Sequence, residues 1–392
     1  MLSAAQFCTR PVGPLQPYAP VHTVSIPKVD HIRLGLVPTG AGYVMPVLYD
    51  VQHRLWRPAE WGLAQTHVAW CAANGYWKSG TLAEWNVVKD TIPAPREFIT
   101  FEFPKLPVVP THAQPIPKSI HHIWVGPSLP DDDLIANITT NIARSEGHIT
   151  TLHTDISDEL FTTLQEKLKH IRPSLIISNL REMDFFERFK SGPIYPHYTH
   201  ALNGAGHNYA AAADMLRYHL VNHYGGIYMD MDDHFVNSIA GMDFRAAPND
   251  VLLGPVIEYE PAKFSGYNNS IFASHPDNPV LTKVVEEMAT RLDNKKDFFL
   301  TPKIRNPTAT EHDTYAEEFF SLTSPQLFND VLSRERPDYY EVLFGLQAEN
   351  LIKNVVFDND YVAKVLLVSE HYCPFFQRAG VEIGAAQSWN VD

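Results

Sequence analysis

Asp230 and Asp232 stand two residues apart in the run Ile227-Tyr-Met-Asp-Met-Asp-Asp233, directly after Gly225 and Gly226. Read as a strand over 227–232, the run puts Ile227, Met229 and Met231 on one face and Tyr228, Asp230 and Asp232 on the other. Carboxylates this close repel one another, and aspartate is a poor strand former, so something outside the chain must offset the cost. A hard divalent cation, Mg²⁺ or Mn²⁺, suits two oxygen-bearing side chains in this pattern. Upstream, Asp214 and Arg217 are three apart on a helix-like run over 208–224 and so neighbour each other on its surface. Ala210–Ala213 let another backbone or a ligand approach closely, and the Gly-Gly pair ends the helix at its left-handed cap. Alone, Asp-x-Asp is a weak motif that a solvated acidic turn also satisfies. The unbroken series of Asp/Arg helix, glycine stop and aromatic-acidic strand is what carries the metal reading.

The elements that must position these residues alternate. "SIHHIWVG" reads as a strand, "PDDDLIANITTNIARS" as a helix with an acidic start, "HITTLHTD" as a strand, "SDELFTTLQEKLKHI" as a helix and "SLIISNL" as a short strand. After the 208–224 helix come strand-like "DVLLGPVIEY" and "NNSIFAS" and the amphipathic helix "NPVLTKVVEEMATRL". Such alternation predicts α/β layers around a mainly parallel sheet, whose strand C-termini are where ligands bind.

The chain before this region is different. Residues 1–30 are a proline-rich arm, 31–103 a small α+β accessory module, and 104–118 a linker, leaving 119–392 for the α/β domain. In the module, "IRLGLVP", "GYVMPVLYDV" and "REFITFEF" alternate like strands, whereas "EWGLAQTHVAWCAANG" has helical spacing and a glycine stop. Trp56, Trp61, Trp70, Trp77 and Trp85 fall here, as core packing or as an aromatic binding face.

With 392 residues and 45% hydrophobic content, the chain can bury a large core. Its 31 basic and 45 acidic residues give a net charge of −14, which argues against a nucleic-acid partner and a polybasic membrane anchor. Cys8, Cys71 and Cys373 form neither a CxxC pair nor a disulfide framework. No apolar run suits a transmembrane segment. The opening residues lack a basic n-region and an apolar core, so any export is expected to use another route than an ordinary signal peptide.

The block "AAAADMLRYHLVNHYGGIYMDMD" resembles the DxD region of GT-A glycosyltransferases, in the group spanning yeast Golgi mannosyltransferases and bacterial toxin or effector enzymes that glycosylate host proteins. That pattern is a small-residue-Asp-x-x-Arg helix followed by Gly-Gly-x-Tyr-x-Asp-x-Asp, and every position matches. "IPKSIHHIWVG", "TLHTD", "YNNSIFASHPDNPVL", "LTSPQLF" (with Ser324 in place of the group's glycine) and "QSWN" follow in the same order. The resemblance covers roughly residues 115–392. It implies a GT-A fold: α/β, Rossmann-like, a mainly parallel sheet with helices on both faces.

By that resemblance, Asp230, Asp232 and Ser388 hold Mn²⁺ or Mg²⁺ on the diphosphate of a UDP-sugar. Asp214, Arg217 and Asn268 face the donor sugar, Trp124 stacks on the uracil, Tyr228 lines the nucleotide pocket, and Trp389 reaches the β-phosphate. The donor is UDP-glucose or UDP-N-acetylglucosamine, and transfer retains the anomeric configuration. The acceptor is a protein, such as a host small GTPase, and the protein a secreted effector. Alternatives are a cytoplasmic polysaccharide-building transferase and a catalytically silent carbohydrate- or protein-binding module.

Other signals are weaker. Asp233 either steadies the metal ligands or starts the next turn. Asn269 lies beside the expected sugar contact. His219 and His223, four apart, are expected in the core or as a surface pair, and His121 and His122 as structural. Glu258, Glu260 and Glu370 with His371 are candidates for activating an acceptor.

Overall fold

The computed structural model describes residues 105–171, 174–351 and 359–384, together with the backbone of six strands between 22 and 80. The chain divides into two compact units, Met1–Pro107 with Asp338–Val368, and Val108–Pro337 with Ser369–Asp392. The grouping of Asp338–Val368 with the first unit contrasts with an uninterrupted domain over 119–392.

In the first unit, His22–Ile26, Val29–Pro38, Val44–Asp50 and Leu55–Pro58 form a four-stranded antiparallel sheet in chain order. His67–Cys71 and Tyr76–Gly80 pair as an antiparallel hairpin. The helix expected from "EWGLAQTHVAWCAANG" is therefore replaced, over 67–71, by a strand. His-Val-Ala-Trp-Cys fits a pleated surface as well as a helix face, and Asn74-Gly75 is a hairpin-turn signal. The arm before residue 22 and the expected strand at 96–103 lie outside the described residues.

The second unit is built on a six-stranded sheet: β1 Ser119–Val125, β2 Ile149–Asp155, β3 Leu175–Asn179, β4 Gly226–Met229, β5 Leu252–Leu253 and β6 Ile271–Ser274. Their order is β3-β2-β1-β4-β6-β5. The first four strands run parallel, while β6 is antiparallel to β4 and β5 to β6. This is the α/β class expected, with a mixed edge.

Helices cover both faces. Trp124 and Leu152 point to the side where Ile135 and Ile138 of α1 (Asp132–Arg144) and Leu164 of α2 (Asp158–Lys167) pack. His121, of opposite parity on β1, stacks on Tyr224, the last residue of α5. Between them run α3 (Asp184–Lys190) and α4 (Tyr195–Asn203), with α5 at Tyr209–Tyr224, α6 at Pro279–Asn294, α7 at Ala309–Leu322 and α8 at Pro325–Glu335.

α5 is the central helix. Asn208 caps it by accepting the Ala211 N–H, and nine of its residues, from Ala211 to Val221, are buried, including Asp214 and Arg217. A helix apolar on most sides belongs inside a core. Gly225 ends it at φ 66°, and Gly226 follows at φ 92°. A Cβ at Gly226 would lie 2.7 Å from the Ser119 carbonyl, so glycine lets β4 leave α5 directly and enter the sheet beside β1.

Candidate active site

β4 and β6 stay paired one bond beyond the strand, with Asp230 N–H donating to Ser270 O at 2.8 Å. The chain then turns, and Asp233 N–H donates back to Asp230 O at 3.3 Å. Asp230 and Asp232 are thus presented by a turn after Met229, not by one face of a strand reaching 232. Asn137 and Asn141 of α1 brace this turn by donating to the carbonyls of Asp232 and Asp233. Both aspartates reach solvent, Asp230 with 27% of its side chain exposed.

Arg217 is the hub behind the turn. Its Nη2 lies 3.0 Å from Asp214 Oδ1 and 3.1 Å from Asp230 Oδ1, and its Nη1 donates to Asn269 O at 2.8 Å. The guanidinium also covers the Tyr228 ring at 4.6 Å, and the Tyr228 hydroxyl donates to Asp230 Oδ1 at 2.5 Å. The Asp214 carboxylate accepts three hydrogen bonds and faces Arg217 as an ion pair. Asn269 Nδ2 and Arg217 serve Oδ1, and the Thr323 and Ser324 hydroxyls serve Oδ2. Asp233 is buried and accepts from Ser270 Oγ at 2.6 Å and from Gly384 N–H at 2.9 Å.

Negative charge exceeds positive here, because Arg217 faces Asp214 and Asp230, with Asp232 and Asp233 alongside. Burial, reinforced by Asp232, pushes the Asp230 carboxyl up to about 7, against the opposing pull of Arg217 and Tyr228. Burial likewise raises Asp233 well above the carboxylate range, with Asp230 adding to it. Such a cluster favours a cation. Among the described residues, no three His, Cys, Asp or Glu side chains are placed to hold a metal by themselves. Asp230 and Asp232 offer two partly exposed carboxylates, the donor type that an oxygen-seeking divalent cation takes.

Two comparisons with known proteins decide the class. Residues 144–252 match the family described as "Glycosyltransferase sugar-binding region containing DXD motif". The chain carries a DXD sugar-binding region of the glycosyltransferase type. The chain is 28% identical over 196 residues to "Toxin Afp18" of Yersinia ruckeri serotype O1, a match covering 48% of this chain and 9% of that protein. It is 26% identical over 179 residues to a protein named "Toxin" from Photorhabdus asymbiotica, covering 44% of this chain and 6% of the relative. The chain thus spans less than a tenth of the length of the curated relatives it matches. The solved "PaToxG Glycosyltransferase" aligns with a TM-score of 0.46 at 19% identity, over 67% of this chain and 80% of that one.

The other candidate residues take the following places. Trp124 is partly exposed near the end of β1, its indole N–H donating to Ser128 O at 2.7 Å. Asn268 is buried and donates to Ser270 Oγ at 2.8 Å, while Asn269 bridges Asp214 and the Tyr218 hydroxyl. Ser388 and Trp389 lie outside the described residues. Val381–Glu382 pairs antiparallel with His234–Phe235, which brings Gly384 against the DXD turn four residues before Ser388. Glu258, Glu260 and Glu370 are exposed, and His371 turns to the buried Asp250 at 3.6 Å.

The four histidines divide as their burial dictates. His121 bridges Gly225 O and His153, and His122 bonds to Met229 O. His219 packs edge-on against Phe189, and His223 meets Arg188. Residues not singled out from sequence are Asn137, Asn141, Tyr218, Ser270, Thr323 and Gly384. Of the segment holding Thr323, only the exchange of glycine for Ser324 gave a signal.

Proposed function

We propose that this chain is a metal-dependent, retaining glycosyltransferase that moves a hexose or N-acetylhexosamine from UDP-glucose or UDP-N-acetylglucosamine to a protein acceptor. The observation that carries the reading is the Asp230–Asp232 turn at the C-terminal end of β4, linked to α5 through Arg217, within a matched DXD region.

In this reading Asp230 and Asp232 bind Mn²⁺ or Mg²⁺, with Ser388 from the tail. The ion supplies neutralisation of charge on the departing nucleoside diphosphate. Arg217 adds fixed positive charge behind Asp230 and holds its carboxylate toward the ligand. Trp124 offers a ring to the uracil, Tyr228 steadies Asp230, Asn268 borders the sugar, and Trp389 closes over the phosphates. Closure of the tail excludes water and favours transfer over hydrolysis. Asp214 and Asp233 are buried and hydrogen-bonded to protein groups, which sets both back from the role of a covalent nucleophile. That supports displacement on the donor's front face.

The acceptor class rests on the relatives named as toxins and on the absence, among the described residues, of a helix long and apolar enough to cross a membrane. A secreted or injected effector acting on a host protein, such as a small GTPase, fits both. The test is hydrolysis of a panel of UDP- and GDP-sugars with and without Mn²⁺, alongside Asp230→Asn/Asp232→Asn. Mn²⁺-dependent cleavage of one UDP-sugar, lost in the double variant, is expected. Cleavage unchanged by EDTA and by the double variant would remove the metal role, and no turnover or binding of any donor would favour the silent module.

A further inference from the structure

Asn329 is buried one turn into α8, although asparagine ranks low among helix formers. Its amide turns inward, onto the hairpin that pairs Val256–Tyr259 with Phe264–Tyr267. Oδ1 accepts the Tyr267 N–H at 2.9 Å, and Nδ2 donates to the Tyr267 carbonyl at 2.7 Å and to Pro325 O at 2.8 Å. Both groups of one backbone residue are thus paired by one side chain, as a neighbouring strand would pair them. Gly266 makes the approach possible. A Cβ there would lie 2.5 Å from Asn329 Oδ1, so any side chain at 266 would push the amide off the hairpin.

The residues after Tyr267 run straight into the candidate site. Asn268 N–H donates to Pro255 O at 3.0 Å and closes the hairpin. Asn269 O then accepts from Arg217 Nη1 at 2.8 Å, and Ser270 O accepts the Asp230 N–H at 2.8 Å. The segment 267–270 is therefore held by α8 at one end and by α5 and the DXD turn at the other. Asn268, which borders the sugar in the proposed reading, sits next to the end that Asn329 holds. Asp230 and Asp232 have supports of their own in Tyr228, Arg217 and Asn137.

We infer that Asn329 is a positioning residue for the donor sugar: its amide, clamped on the Tyr267 backbone, sets where Asn268 and Asn269 stand against the sugar. The inference deepens the glycosyltransferase reading and rests on it. Without the amide, the Tyr267 N–H and carbonyl lose their partner from α8, and the start of the 267–270 segment is free to shift. The diphosphate end keeps its own bonds. Loss of the clamp should therefore weaken recognition of the sugar and spare that of the nucleotide.

Two variants reach the clamp from opposite sides. Asn329→Ala removes the amide, and Gly266→Ala displaces it while leaving α8 unchanged; Gly266 lies outside the left-handed region, so alanine meets no backbone strain there. The experiment uses the full chain in Mn²⁺, with a thermal melt of each protein. It measures UDP affinity by calorimetry, and KM and kcat for hydrolysis of UDP-glucose and UDP-N-acetylglucosamine. The expected result in both variants is a KM about tenfold higher for the sugar nucleotide that is cleaved, with UDP affinity within about twofold of wild type. Should Asn329→Ala fail to fold, Gly266→Ala decides alone. An unchanged KM in the folded variants would overturn the inference. So would UDP weakened as much as the UDP-sugar, or a fall in kcat alone that follows the loss of folded protein. A wild-type chain that neither binds UDP nor cleaves either sugar nucleotide would instead overturn the glycosyltransferase reading, and this inference with it.

Discussion

Gly384 backs directly onto Asp232. A Cβ added at Gly384 would lie 2.3 Å from the Asp232 carboxylate, and the Gly384 N–H donates to neighbouring Asp233 at 2.9 Å. The segment leading into the tail is thereby packed on the DXD turn with no space between them.

This contact predicts the behaviour of Gly384→Ala. The added methyl must push Asp232 aside or lift the segment off Asp233. Transferase activity and Mn²⁺ affinity should each fall about ten- to a hundredfold, the range for groups that orient metal ligands. Global stability should change little, because Gly384 is partly exposed at the end of a short strand pair. Activity and Mn²⁺ binding equal to wild type would show that the turn does not depend on this contact.

Tyr228 offers a test that leaves packing intact. Tyr228→Phe keeps the ring beneath Arg217 and removes only the hydroxyl that donates to Asp230. That bond favours the ionised carboxyl, which burial otherwise drives up. The variant should bind Mn²⁺ about tenfold more weakly at neutral pH, with a melting temperature close to wild type. Equal Mn²⁺ affinity in a titration of the two proteins would count against Asp230 as a ligand.

Much of this site was legible in the sequence because it is local. α5, its glycine stop and the DXD residues lie within 24 positions, so spacing placed Asp214 beside Arg217, and the resemblance set both near Asp230. What spacing could not reach were the partners. The strand-like run gives way to a turn where Asp233 N–H bonds back to the Asp230 carbonyl, a bond that periodicity does not encode. Thr323 and Ser324 close on Asp214 from the link between two other helices, a contact that local spacing cannot show. The hairpin at 67–80 was misread for a related reason, since short apolar runs satisfy both helical and strand periods.

Asn141 ties α1 to the turn and was equally invisible. It is fully buried, donates to Asp233 O at 2.9 Å and accepts Phe235 N–H at 3.0 Å. Asn141→Ala leaves both backbone groups buried without a partner, a loss of roughly 2–4 kcal/mol. Chemical denaturation should show that loss, and activity should drop with it because the DXD turn loses its brace. A stability change below about 0.5 kcal/mol would mean that water or a shifted backbone replaces both bonds.

The buried histidines make stability depend on pH. Burial lowers His121, His122 and His219 to about 4 and holds His153 well below its ordinary value, whereas the unfolded chain titrates near 6.5. Between those values the unfolded state binds more protons than the folded one, so the stability present above pH 6.5 is lost as the pH falls toward 4. At pH 5 the loss is about 2 kcal/mol for each of the three histidines at 4. His219 is the cleanest handle, because its Nε2 is buried with no hydrogen-bond partner and its ring lies against Phe189. His219→Phe should keep the packing and remove one titrating group. Urea unfolding at pH 7 and pH 5 should then show a smaller difference for the variant than for wild type, and an identical difference would place the proton uptake elsewhere.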